Sequence, residues 1–289
     1  MVTIHFLDEK EGHYLYKRVA KLLSNHKKSN RSTPVKIHFT DDLALTIDFD
    51  SRDPVCDMLK PTLLNFFAEH IIRTREDSWI IRILEHTYYF QDKEEQSQIL
   101  PIVRCLLDGH GDDIPAVREL PRREDVIVEA LEVLFDCDMV FSYESFLQFR
   151  LKSYRELLQT YIECAIDEFK LEQEYQEYIH QLRQYVKTRV SLFSIVYLKH
   201  EPDRFRVYNE HDYELKQEDI NSLMLDEQKR FEDFAGPDVL KLLIEIAPSK
   251  IYLFTDETDA TLHQAIQNIF QERVKFFPCS KFEDRQQKL

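Results

Sequence analysis

Three acidic residues, Asp256, Glu257 and Asp259, follow closely on the short apolar run Lys250-Ile251-Tyr252-Leu253-Phe254. Ligands of open α/β sheets lie at the carboxyl ends of strands, and carboxylates gathered there can hold Mg²⁺. The chemistry this spacing offers is Mg²⁺-dependent phosphoryl transfer or hydrolysis. A plainer use exists for the same residues. Asp256 or Thr258 can cap the helix that follows, with the nearby carboxylates favoured at its positive end.

Two weaker patterns stand elsewhere. Asp108, His110, Asp112 and Glu119 echo the spacing of a calcium loop, but Asp113 stands where such a loop needs glycine and a histidine replaces an oxygen ligand. A polar connector between helices accounts for the stretch. His211-Asp212 is the kind of doublet that metal-dependent phosphohydrolases carry on a helix, yet it falls in a turn-rich segment after a hairpin.

The chain carries a net charge of −15, so it repels nucleic acid and anionic membranes as a whole. Its first helix is the exception. No acidic residue occurs between Gly12 and Thr40, while Lys17, Arg18, Lys21, Lys27 and Lys28 crowd together. This region could bind phosphate groups, RNA or an acidic partner; a solvated helix face is the ordinary alternative. A tyrosine-rich stretch from Tyr154 to Tyr185 offers either core packing or a stripe for a partner.

Glycine excludes several activities. The chain has four, at Gly12, Gly109, Gly111 and Gly236. Phosphate loops, dinucleotide fingerprints and nucleophile elbows all need glycine where the backbone turns tightly or approaches a ligand, and none is present. No catalytic residue and no cofactor is expected.

The elements that would position these residues follow from periodicity. Val2–Leu7 alternates as a strand, and Leu15, Val19, Leu22 and Leu23 mark an amphipathic helix from His13 to His26. Val35–Phe39 and Leu43–Phe49 alternate as a hairpin, giving a small β-α-β-β unit. Asp53-Pro54 starts a helix, and Pro61 kinks or restarts it. Ser142 caps a long helical stretch to about residue 190, with a kink or a rotation of its buried face near Phe169–Leu171. After it come a hairpin, Leu192–Leu198 with Arg204–Tyr208, then a helix from Gly236-Pro237 stopped at Pro248. Strand, helix and strand between Lys250 and Phe277 suggest a right-handed βαβ unit.

The expectation is an α+β protein, mostly helical, in three stretches: 1–52, 53–190 and 191–289. At 43% hydrophobic residues, with 20 Phe and 14 Tyr, it has ample core material. Five scattered cysteines without a CxxC pair read as reduced thiols, and neither a signal peptide nor a membrane span is expected.

One resemblance adds to this. Phe146-Leu147-x-Phe149-Arg150-Leu151 with Tyr154, then Ala165-Ile166-Asp167-Glu168-Phe169, resemble the YtxC family. So do Glu174-Tyr175-x-x-Tyr178-Ile179-x-x-Leu182-Arg183-x-Tyr185-Val186, Ile246-Ala247-Pro248-x-Lys250-Ile251 and Ile269-Phe270-x-x-Arg273-Val274. The resemblance implies a cytoplasmic, sporulation-associated protein of Bacillus-like bacteria and carries no catalytic residues with it. Together these readings point to a non-enzymatic binding protein with a protein partner. The alternative is a Mg²⁺-dependent enzyme at Asp256, Glu257 and Asp259.

Overall fold

The computed structural model describes residues 1–29, 35–49, 55–111, 114–136, 139–201, 204–216, 218, 237–256 and 261–286. The fold is α+β, with two small mixed sheets among predominant helix. The chain divides into two compact units, Met1–Lys170 and Leu171–Leu289. Asp53-Pro54, Thr258 and Gly236 lie outside the described residues.

In the first unit, β1 (Val2–His5) runs antiparallel to β3 (Ala44–Phe49), which pairs antiparallel with β2 (Val35–Phe39). A fourth strand, β4 (Val140–Ser142), lies parallel to β1 with Ile4 opposite Phe141. Three residues are too few to show a period of two, so the sequence alone leaves β4 invisible. The inward-facing Val2, Ile4, Leu45 and Ile47 are at most 1% exposed. Helix α1 (Glu9–Ser29) buries Leu15, Val19 and Leu23 in the same core. Gly12 lets the two elements meet: a Cβ there would stand 3.0 Å from the Phe39 ring.

Helix α2 (Val55–His86) is continuous through Pro61, so the helix does not restart there. Proline removes one backbone hydrogen bond. Leu59, Leu63, Leu64 and Phe67 on either side of it are buried, and their packing holds the helix across the gap. Helices α3 (Lys93–Leu107), α4 (Pro115–Arg118) and α5 (Arg123–Asp136) complete the helical layer. Gly109, between α3 and α4, has φ of 89° and supplies the left-handed turn that ends α3.

Ser142 caps a short turn, α6 (Tyr143–Ser145), by accepting the Ser145 amide at 3.3 Å. A π-helical segment, Phe146–Arg150, and a break at Leu151 follow before α7 (Lys152–Thr188). The wider turn brings Phe146, Leu147, Leu151 and Tyr154 all to the core side. Near Phe169–Leu171 the helix does not break; its burial changes instead. Tyr154, Leu158, Ile162 and Phe169 are buried with the first unit, whereas residues 170–177 are exposed all round. Ile179, Leu182 and Val186 then belong to the second core.

The second unit holds β5 (Ile195–Glu201), β6 (Arg204–Asn209), β7 (Lys250–Phe254) and β8 (Val274–Phe277) in the order β6-β5-β7-β8. β5 and β6 are antiparallel; β5, β7 and β8 are parallel. Helix α8 (Asp238–Ile246) stops because Ala247 turns left-handed at φ 49° just before Pro248. Helix α9 (Thr261–Phe270) joins β7 to β8, and α10 (Ser280–Gln286) brings Phe282 against Tyr208 and Phe254. Among the described residues no helix is long and apolar enough to cross a membrane.

Candidate anion-binding cleft

Arg75, Trp79, Arg82, Ile83 and His86 recur on α2 at intervals of three and four, so they share one face. That face forms one wall of a cleft of about 790 Å³ in the first unit. Glu144, Leu147 and Gln148, from α6 and the π segment, form another, and Arg155 enters from α7. Trp79 and Ile83 are half-buried and Leu147 is buried, giving an apolar floor. Arg82 and His86 are exposed at the rim.

The charges in the cleft are held in different ways. Arg75 donates to Glu11 Oε2, and Glu11 Oε1 lies 3.0 Å from Nε2 of buried His70. The Tyr14 ring stacks on His70 at 5.4 Å. Burial, and then the Glu11 charge, pushes the nearby Tyr143 hydroxyl well above its ordinary pKa. Arg155 donates to the Gln148 carbonyl in the π segment. Glu144 accepts the Leu7 amide at 2.8 Å and faces the Ser142 hydroxyl at 3.1 Å. Arg82 and Arg155 have no carboxylate partner among the described residues. The lining therefore presents two guanidinium groups without a carboxylate ion-pair partner among the described residues, with the Glu144 carboxylate in the same cleft. Guanidinium forks match carboxylate and phosphate geometry.

The expected site residues sit elsewhere. Asp256 Oδ1 accepts the Cys279 amide at 3.0 Å, which ties the end of β7 to the start of α10. Residues 257–260, where the amides of the following helix start would lie, are outside the described residues. Burial and the Asp256 charge raise the Cys279 thiol pKa. Beside them His200 Nδ1 meets Thr255 Oγ1 at 3.0 Å and its ring stacks on Phe205 at 4.2 Å. Glu257 and Asp259 lie outside the described residues, among which no metal-binding group of three or more His, Cys, Asp or Glu is found.

Lys17, Arg18 and Lys21 are exposed on α1, and Arg18 lies over the Phe66 ring at 6.0 Å. Lys27 and Lys28 belong to α1, but their side chains are outside the description. Arg73 of α2 adds a cation to this face, bonding the Tyr14 hydroxyl at 2.5 Å and lowering its pKa. Asp108, from the glycine-flanked loop, binds Arg123 at 2.7 Å, and Arg123 reaches Glu76 at 3.0 Å. Tyr154 donates to the same Glu76, whose carboxyl is held above its usual range by burial. That cluster is structural: it joins α2, α5, α7 and the end of α3. His211 and Asp212 lie in a surface turn organised by Asn209 Oδ1, which accepts the His211 amide at 2.9 Å.

The profile of the YtxC-like family matches residues 61–275. The chain is also 33% identical over 231 residues to the uncharacterized protein YtxC of Bacillus subtilis strain 168, covering 80% of each. The chain belongs to the YtxC-like family. No solved structure matches. Every cleft-lining residue from Arg75 to Arg155 falls inside the family match, while Glu11, Tyr14 and the α1 cations fall before it.

Sequence reasoning passes over the cleft because Trp79 and Ile83 read as part of an apolar core stripe. The usable signal is that Arg75, Arg82 and His86 interleave with that stripe on the same face.

Proposed function

We propose that this member of the YtxC-like family is a non-enzymatic cytoplasmic binding protein that engages another macromolecule during sporulation. Its contact is an anionic group of the partner seated in the α2 cleft. The observation that carries the reading is the pair Arg82 and Arg155, converging beside Trp79 with no carboxylate partner among the described residues. An aromatic and arginines placed together in a concave wall are what binding hot spots are made of. The sporulation setting is supported by the family resemblance alone.

Affinity capture from sporulating cells tests this, using the full chain and an Arg82→Glu/Arg155→Glu variant. A macromolecule held by the native chain, released by salt and lost from the variant supports the reading. Equal retention by both proteins contradicts it.

A further inference from the structure

Resting on that cleft reading, we infer that the partner is a protein, and that it presents a short acidic segment with an apolar side chain between its carboxylates. Three observations favour a peptide over other anions. First, basic and apolar side chains alternate along the wall: Arg75, Trp79, Arg82, Ile83 and His86. In an extended peptide every second side chain shares a face, so an acid, an apolar residue and an acid at positions i, i+2 and i+4 all meet such a wall. The span from Arg75 to His86 is about 16 Å along the helix, the length of roughly five extended residues.

Second, the floor is mixed in kind. Ile83 and Leu147 are aliphatic and suit an aliphatic or aromatic side chain, and Trp79 is the one aromatic in the lining. Sites for single-stranded nucleic acid stack successive bases on several aromatic rings. Third, the chain's net charge of −15 repels a long polyanion at a distance, whereas a segment with two or three carboxylates meets chiefly the local cations. Glu144, bonded to the Leu7 amide and near the Ser142 hydroxyl, is a lining carboxylate that limits how many acids the cleft accepts.

The test is a library of randomised short peptides displayed on beads, panned with the full-length chain. Retained peptides are expected to carry Asp or Glu on both sides of Leu, Ile or Phe. Trp79 is the chain's only tryptophan, so a synthesised retained peptide can be titrated by its emission. Arg82→Glu should weaken binding by at least about tenfold, and Arg82→Glu/Arg155→Glu should abolish it. Arg82 is exposed and makes the first variant a test that does not hinge on folding. No enrichment, enrichment without acids, or affinity unchanged in both variants overturns the inference. If acidic peptides are not selected while the cellular partner is still lost from the double variant, the cleft stands and the peptide falls. Tighter, Arg82-dependent binding of a single-stranded oligonucleotide has the same consequence.

Discussion

The α2 cleft and the strand ends of the second unit both gather charged and polar side chains, and they dispose of them in opposite ways. At the strand ends, Asp256 bonds the Cys279 amide and His200 meets Thr255, so each group answers a need of the fold. In the cleft, Glu11 holds Arg75 and Gln148 holds Arg155, but no described carboxylate neutralises Arg155 or Arg82. The first arrangement closes a helix start. The second leaves positive charge facing an opening. What marks the cleft is charge the fold does not use.

Substitutions break or sharpen this contrast, the largest first. Arg123→Ala removes the cation paired with buried Glu76 and should cost about 3–5 kcal/mol, measured by urea denaturation. A loss under about 1 kcal/mol would mean the cluster is solvated. Glu11→Gln weakens the hold on Arg75 and should cost about 1–3 kcal/mol in stability, measured by the same denaturation.

Glu76 gives a pH test. Burial raises its folded-state pKa above the ordinary carboxyl value of 4.5, so the native state binds this proton more tightly than the unfolded chain. Its contribution to stability is most favourable below 4.5 and declines as pH rises through the folded value. The stability of Glu76→Gln relative to the native chain should therefore improve as pH rises across that window. A flat difference would contradict the burial argument. Asp256→Ala should cost about 1 kcal/mol or less through the lost Cys279 bond, and should leave cleft binding unchanged. Arg82→Ala should alter stability by no more than about 0.5 kcal/mol while weakening binding, which separates an unused charge from a structural one.

Much of the fold was legible because its signals are local. Leu15, Val19 and Leu23 announce α1, and the alternation of Val35–Phe39 with Ala44–Phe49 announces the hairpin. That α2 runs on through Pro61 was not legible, because a proline's local penalty says nothing of the packing of Leu63 and Phe67. β4 was hidden because its partner β1 lies far away in sequence, and pairing at that distance leaves no local pattern. The cleft was hidden for a related reason. Arg82 and Arg155 are separate features of two helices until the π segment turns the chain and brings them to one opening. The acids at Asp256, Glu257 and Asp259 were conspicuous because they are neighbours in sequence; of the three, Asp256 alone is among the described residues, and it bonds the Cys279 amide.

The central claim is that Arg82 and Arg155 hold a partner's acidic group beside Trp79. Its most direct measurement is Trp79 emission titrated with a library-selected acidic peptide over a range of salt concentrations. The account predicts saturable binding that weakens steadily with salt and vanishes in Arg82→Glu/Arg155→Glu. Binding that ignores salt and survives that double substitution would contradict it.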